Sequence, residues 1–199
     1  DRLDLVELHP TDHAALEATA PGAVILDHTT TSATVAREMA VLAAEAGRSF
    51  LDAPVSGGQA GAEAGKLSVM VGGEAAALER ARPALDVYAK AVRHMGPSGA
   101  GQLTKMVNQI AIAGVVQGLA EAVHFADAAG LDPEAVYGAV SQGAAQSWQM
   151  DNRWATMARG EFDFGFAVDW MRTDLGLVLD EARRNGSRLA LTALVDQFY

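Results

Sequence analysis

A lysine and an asparagine lie three residues apart in the stretch Gly99-Ala100-Gly101-Gln102-Leu103-Thr104-Lys105-Met106-Val107-Asn108. Residues at this spacing share one face of a helix, so we expect Lys105 and Asn108 side by side near the start of a long apolar helix. Partial burial lowers the pKa of a lysine and suits it to proton transfer, while an asparagine can donate to a substrate oxygen. The alternative is a lysine that extends its amine to solvent near a helix start. The helix dipole favours an acid at that position, which weakens this alternative.

A second candidate segment is Asp52-Ala53-Pro54-Val55-Ser56-Gly57-Gly58, at the end of a predicted strand. Ligands of open α/β sheets bind beyond the carboxyl ends of strands. Two consecutive glycines let backbone N–H groups approach an anion closely, and Ser56 adds a hydroxyl donor. The alternative is an ordinary glycine-rich surface turn.

A third candidate is Asp27-His28-Thr29-Thr30, which also follows a predicted strand. Its hydroxyl groups could line a cofactor cleft, or Thr30 or Thr31 could simply cap the next helix. The five histidines lie on different elements with no metal-ligand spacing, so no metal site is predicted; His124 is interpreted as a packed core residue. They are His9, His13, His28, His94 and His124.

Composition limits the class of protein. Half of the 199 residues are apolar, enough for a sizeable core. The absence of cysteine excludes disulfides and thiol catalysis. A net charge of −10 argues against nucleic-acid and anionic-membrane partners. No stretch reaches the roughly 18 unbroken apolar residues of a membrane span and nothing resembles a signal peptide, so we expect a soluble cytoplasmic protein.

The elements that would position these residues change in type along the chain. Strand-like and helix-like segments alternate in the first half, which predicts an α/β layer with a mainly parallel sheet. The predicted strands are 23–26, 48–54, 67–71 and 91–95. The predicted helices are 35–46 and 74–88, and Pro83 is expected to kink or break the second of them. Residues 56–65 are predicted to form a glycine-rich loop.

Only helices are predicted after Gly96-Pro97-Ser98-Gly99. Residues 101–129 are predicted to form one long helix that is apolar on nearly all sides and is therefore expected to be buried among other helices. Asp132-Pro133-Glu134 marks the next helix start. Further helices are predicted at 147–159, at 166–184 with a stop at Gly186, and from 191 onward. The predicted domains are 1–98 and 99–199.

These segments, in this order, resemble the β-hydroxyacid dehydrogenase family, which includes 3-hydroxyisobutyrate dehydrogenase and tartronate semialdehyde reductase and belongs to the 6-phosphogluconate dehydrogenase superfamily. Residues 52–58 resemble its substrate-binding signature and 99–108 its catalytic signature. Residues 27–30 are similar to the segment beside the nicotinamide, and Ser147-Trp148 and 162–175 also match. The likeness covers nearly the whole chain.

The resemblance implies part of a Rossmann-type domain, a long interdomain helix and an all-helical substrate and dimerisation domain. It implies hydride transfer between a small 3-hydroxy acid and NAD or NADP, with Lys105 exchanging the hydroxyl proton. Ser56, Gly57 and Gly58 would hold the substrate carboxylate and Asn108 would orient the substrate. Thr29 and Thr30 would lie beside the cofactor.

Two departures from the family pattern matter. The Gly-x-Gly-x-x-Gly phosphate loop is absent, so the sequence shows no preference between NAD and NADP. The family's Lys-Asp-Leu is Thr173-Asp174-Leu175 here, which leaves Arg172 as a misdirected substitute about 100° around the helix.

Two other functions stay open. An imine reductase shares this fold, but Lys105 argues against it while Thr173 keeps it open. A non-catalytic scaffold is opposed by the joint presence of the five candidate residues, Ser56, Gly57, Gly58, Lys105 and Asn108.

Two further expectations concern geometry and assembly. We expect Lys105 at the cleft between the two domains, with its amine facing Ser56-Gly57-Gly58. Because the apolar helix leaves more apolar surface than one chain covers, we also expect a homo-oligomer, a dimer or a tetramer.

Overall fold

The computed structural model describes Leu16 and residues 18–199. The chain divides into two compact units, the first ending at Val107 and the second running from Asn108 to Tyr199. The order of the elements agrees with the expected architecture, in which an α/β part is followed by helices. The predicted domain boundary at 98/99 stays a prediction. In chain order, the elements before residue 100 are β1 (Val24–Asp27), α1 (Ala33–Glu45), β2 (Ser49–Asp52), β3 (Val55–Ser56), α2 (Gly58–Glu63), β4 (Leu67–Gly72), α3 (Ala75–Leu85) and β5 (Ala89–Gly96).

The five strands form one mixed sheet. β1 and β2 pair in parallel, as do β4 and β5, but β4 runs antiparallel to both β2 and β3. The prediction of a mainly parallel sheet is therefore wrong around β4. The physical reason is the short link from β3 to β4, because a parallel pair needs a crossover of about a dozen residues or more.

The strand β2 contributes to the core on both of its faces. Phe50 packs in a cluster with α1, and Leu51 packs in a cluster with β4 and α3. Successive side chains of a strand point to opposite faces, so neighbouring residues of β2 join different clusters. The strand is thus fixed from both sides, which holds its carboxyl end in place.

Three local predictions need correction. Ser32, rather than Thr30 or Thr31, caps α1, with its side chain accepting from the Val35 amide. The predicted loop at 56–65 contains the end of β3 and all of α2. The helix α3 is not broken at Pro83, which lies inside it, and it ends two residues later rather than at 88.

The described residues after position 99 are helical and form no strand, as predicted. Asp132 caps α5 with its side chain and Ser147 caps α6. Gly186 ends α7 in the left-handed conformation (φ 78°) that a glycine adopts without strain. The helix expected to run on from Leu191 ends at Asp196. The helices are α4 (Ala100–Ala128), α5 (Pro133–Val140), α6 (Trp148–Ala158), α7 (Val168–Asn185) and α8 (Ala190–Asp196).

The long helix α4 is not buried on all sides within this chain. Ala113 and Leu119 lie in the cores of the second unit, but Val107 is 65% exposed and Phe125 is 71% exposed. His124 is exposed as well, so its interpretation as a core residue is wrong. By length and composition alone α4 would also suit a membrane span, a test that core helices of soluble proteins pass too.

Candidate active site

A buried carboxylate anchors the first turn of α4 to the end of β2. Asp52 is fully buried, and its two oxygens accept the backbone N–H groups of Gly99 (2.7 Å) and Gln102 (3.0 Å). Burial raises the pKa of the Asp52 carboxyl, and the backbone N–H groups of Gly99 and Gln102 oppose that rise. An acid at a helix N-terminus meets the positive end of the helix dipole. Sequence reasoning missed this role, although Asp52 stood in a selected segment.

Gly101 lets this first turn lie directly against the strands. A Cβ at Gly101 would fall 2.5 Å from the backbone oxygens of Asp52 and Met70. Atoms at that distance overlap, so only glycine fits between α4 and these two strands. The approach sets the position of every residue in the next turn, including Lys105.

Lys105 lies one turn further along α4 and is almost buried, with 9% of its surface exposed. Its Nζ donates to the backbone oxygen of Val55 at 2.9 Å. Val55 directly precedes Ser56, so the structure brings the amine to the glycine-rich segment. The predicted position of Lys105 at a cleft between the two domains stays a prediction.

The Ser56-Gly57-Gly58 segment forms the junction between β3 and α2. Ser56 pairs with Ser68 of β4 and is half-buried. Gly57 (φ 133°) and Gly58 (φ 61°) both adopt backbone angles that favour glycine. With no side chains, these two glycines leave their backbone N–H groups open to the close approach of an anion.

The loop after β1 is tied to α4 by Gln102, a second residue that sequence reasoning missed. The Gln102 side chain is fully buried; its Nε2 donates to the Thr29 oxygen (2.8 Å) and its Oε1 accepts the Thr31 amide (3.1 Å). The only sequence signal was a polar residue in an apolar helix. These bonds satisfy backbone groups of the loop, while the hydroxyls of Thr29 and Thr30 have no hydrogen-bond partner within the described part of the chain.

This donor set fits the nicotinamide end of a dinucleotide. Thr29 is exposed and Thr30 is half-buried at the carboxyl end of β1, where parallel strands of such sheets receive ligands. Their hydroxyls can both donate to and accept from a carboxamide. Among the described residues these two would hold that group.

His28 joins the ends of β1 and β2. Its Nδ1 lies 2.6 Å from the Ala53 oxygen and its Nε2 lies 2.7 Å from the Tyr88 hydroxyl. A carbonyl only accepts, so Nδ1 carries a proton and donates to Ala53, while Nε2 pairs with the Tyr88 hydroxyl. Burial raises the pKa of the Tyr88 hydroxyl. His28 thereby acts as a brace for the loop rather than as a metal ligand.

Asn108, the first residue of the second unit, is half-buried, and its Nδ2 donates to the Gln109 Oε1 at 2.7 Å. The residue that replaces the family lysine, Thr173, is exposed and donates its hydroxyl to the Asp169 oxygen. Arg172 is exposed too. Thr173 carries no charge and the Arg172 side chain is exposed, so neither residue places a buried cation in the second unit.

No group of three or more potential metal ligands occurs among the described residues. His9 and His13 lie outside them. The predicted site residues are thus placed in two sets. The first unit holds Lys105 beside the Ser56-Gly57-Gly58 segment and Thr29 and Thr30 beside Gln102, and the second unit begins with Asn108.

Known proteins resemble this chain along almost its whole length. Residues 99–199 match the profile described as NAD-binding of NADP-dependent 3-hydroxyisobutyrate dehydrogenase, and residues 4–96 match the NAD binding domain of 6-phosphogluconate dehydrogenase. An uncharacterized oxidoreductase of Shewanella frigidimarina is 58% identical over 98% of this chain and 67% of that protein. The 2-(hydroxymethyl)glutarate dehydrogenase of Eubacterium barkeri is 37% identical over 92% of this chain and 62% of that protein.

A solved structure shows the same likeness. The structure of Mycobacterium tuberculosis 3-hydroxyisobutyrate dehydrogenase with L-serine superposes with a TM-score of 0.83 at 34% identity, over 92% of this chain and 65% of that one. The chain thus spans roughly two thirds of the length of the relatives it matches. Both halves match profiles of the same superfamily in the expected order, so the chain belongs to the 3-hydroxyisobutyrate dehydrogenase family of nicotinamide-dependent hydroxyacid dehydrogenases.

Proposed function

We propose that this chain carries the substrate-handling part of an NAD(P)-dependent dehydrogenase for small 3-hydroxy acids, with Lys105 as the general acid–base residue. The observation that supports it most is the contact between the nearly buried Lys105 amine and the Val55 oxygen. This contact holds a proton-transfer group beside Ser56 and the two glycines. A dehydrogenase for hydroxy acids needs these two groups together, one for the hydroxyl and one for the carboxylate.

The proposed oxidation removes a hydride and a proton from the same alcohol. The hydroxyl proton passes to the Lys105 amine, and the C–O bond becomes a carbonyl as the hydride leaves the carbon. A bound nicotinamide would supply the acceptor for that hydride. In the reverse direction the Lys105 ammonium returns the proton to the carbonyl oxygen. Ser56, Gly57 and Gly58 would hold the carboxylate, Asn108 would help to orient the substrate, and Thr29 and Thr30 would contact the nicotinamide.

The substrate class is supported by the names of two relatives. L-Serine, bound to one, and 2-(hydroxymethyl)glutarate, the substrate of another, both carry a primary alcohol one carbon away from the carbon that bears a carboxylate. We therefore propose substrates of the form HOCH₂–CHR–COO⁻, which includes 3-hydroxyisobutyrate. Turnover should be measured with 3-hydroxyisobutyrate, serine and tartronate semialdehyde, and with a cyclic imine for the imine reductase alternative. Turnover of the imine alone would overturn the substrate class, and turnover of none of the four would favour the scaffold alternative.

The role of Lys105 is tested by substitution in the full-length, active protein. General acid–base catalysis contributes about 10²–10⁴ in rate, so Lys105→Ala should lower kcat by that order. Lys105→Arg should restore little, because arginine does not release its proton near neutral pH. Ser56→Ala should mainly raise KM for the hydroxy acid. Lys90→Ala, at an exposed position of β5, is the matched control and should leave kcat unchanged.

Near wild-type turnover by Lys105→Ala, with its folding intact, would contradict the acid–base role. Membership of the family would then support the fold but not the acid–base role of Lys105.

We also propose that the protein is a homo-oligomer, a dimer or a tetramer. The support is the exposed apolar surface of α4, where Val107 and Phe125 lie largely in solvent within one chain. Exposed apolar patches of this kind mark partner surfaces. Light scattering at micromolar concentration should show a dimer or larger species, and a monomer alone would contradict the proposal. The cytoplasmic location stays a prediction.

A further inference from the structure

Asn108 ends a chain of buried hydrogen bonds in the second unit that the reaction scheme does not use. Its neighbour Gln109 is only 2% exposed. The Gln109 Nε2 donates to the Asp174 carboxylate at 2.6 Å, and its Oε1 accepts from the Asn108 Nδ2 at 2.7 Å. Asp174 itself is buried on α7. Both ends of the Gln109 amide are therefore engaged.

The direction of these bonds follows from the chemistry of the groups. A carboxylate only accepts, so Gln109 must turn its NH₂ group toward Asp174 and its carbonyl oxygen toward Asn108. A carbonyl oxygen also only accepts, so Asn108 must turn its own NH₂ group toward Gln109. An asparagine amide otherwise has two orientations that differ by a flip of about 180°. One buried carboxylate thus selects a single orientation for both amides.

We propose that Gln109 is a positioning residue for the substrate site, which acts by holding the Asn108 amide in one orientation. The inference rests on the proposed function, in which Asn108 orients the substrate. With the amide fixed, Asn108 offers the substrate its Oδ1 and one remaining N–H in a defined arrangement. Without Gln109 the amide can flip and rotate, and a fraction of the molecules would present the wrong atoms.

A double-mutant cycle separates positioning from general stabilisation. The variants are Gln109→Met, which keeps a long side chain but neither bond, Asn108→Ala, and the two combined. Gln109→Met should lower kcat/KM for the hydroxy acid roughly three- to tenfold, the range expected for one neutral hydrogen bond. In the Asn108→Ala background the same change should have no further effect on kcat/KM. The stability loss measured by urea unfolding should be similar in both backgrounds.

The control is another amide on the same helix. Gln117 donates to Glu121 at 2.9 Å on an exposed part of α4. Gln117→Met removes one amide hydrogen bond as well, but it should leave kcat/KM unchanged. An equal loss of kcat/KM for Gln109→Met in the presence and absence of Asn108, or no loss at all, would overturn the inference.

A second variant serves if Gln109→Met does not fold. In the combined exchange of Gln109→Glu with Asp174→Asn, the carboxylate placed at 109 accepts from both neighbours, so Asn108 keeps its orientation. We expect kcat/KM within about threefold of the wild type, the smallest effect that a lost neutral bond would give. A folded exchange variant with a larger loss would overturn the inference. If instead Asn108→Ala alone keeps full activity, the proposed role of Asn108 fails, and the inference fails with it.

Discussion

Gly101 is the position where a single added methyl group should disturb both folding and catalysis. A Cβ there would lie 2.5 Å from the backbone oxygens of Asp52 and Met70 and 2.8 Å from the Asp52 carboxylate. Ordinary contacts begin near 3.4 Å. Because the two nearest atoms belong to strand backbone, they cannot rotate away as a side chain would. The start of α4 must therefore move away from the sheet by about 0.9 Å, the distance that relieves a steric overlap of this size.

The expected magnitudes follow from that displacement. Overpacking of this kind costs about 1–3 kcal/mol in the free energy of unfolding. Lys105 lies one helical turn after Gly101, so its amine moves with the helix start. A displacement of about 1 Å of a catalytic group costs on the order of 10²-fold in rate. Gly101→Ala should therefore lose about 10²-fold in kcat/KM even where it remains folded.

The assays are urea unfolding and steady-state kinetics of the full-length protein. Gly138→Ala, in the helix α5, is the matched control, because no atom lies within 4 Å of the added Cβ. That variant should gain up to about 1 kcal/mol from the better helix propensity of alanine and keep its activity. If Gly101→Ala matches Gly138→Ala in both assays, the close packing of α4 on the strands does not position Lys105 as argued.

Two further predictions concern the anchors of the same helix. Asp52→Asn should cost about 1–3 kcal/mol, because it sets an NH₂ group against one backbone N–H. Burial raises the pKa of the Asp52 carboxyl above its ordinary 3.8, so the stability that this group contributes is present below 3.8 and is lost as the pH rises through the raised pKa. The difference in the free energy of unfolding between the wild type and Asp52→Asn, measured in urea, should therefore become smaller as the pH rises from acidic to neutral. A difference that does not change with pH would contradict this account. Gln102→Met should raise KM for NAD(P) about tenfold and KM for the hydroxy acid much less, since it releases the Thr29 loop; equal rises in the two KM values would refute that.

The parts of the fold that depend on near neighbours could be predicted from the sequence. The helix start at Asp132 and the stop at Gly186 act within one turn of a helix, and both occur where predicted; the helix predicted from 147 is also found, with Ser147 as its cap. The length of α4 followed from its uninterrupted apolar pattern. Sequence patterns report such local preferences directly, because the groups involved are close along the chain.

The anchors of the site depend on groups that are far apart along the chain. Asp52 binds backbone groups 47 and 50 residues later, and Gln102 binds one 73 residues earlier. Periodicity carries no information on such pairs. The antiparallel course of β4 escaped prediction for a related reason, since the direction of a strand depends on the connection that precedes it. Here that connection was interpreted as a loop although it contains α2.

The start of α4 is attached to both segments proposed to contact ligands and to the end of β2. Asp52 fixes the helix to the end of β2, Gln102 holds the Thr29 loop, and Lys105 holds the Val55 oxygen. These three attachments fall within less than two turns of one helix. The segment proposed for the nicotinamide and the segment proposed for the carboxylate therefore share one rigid support and cannot shift independently. Transfer of a hydride and a proton from one alcohol needs both partners placed within a fraction of an ångström. A single helix start that sets both positions meets that need with three side chains, and the loss of one attachment should release the segment that it holds.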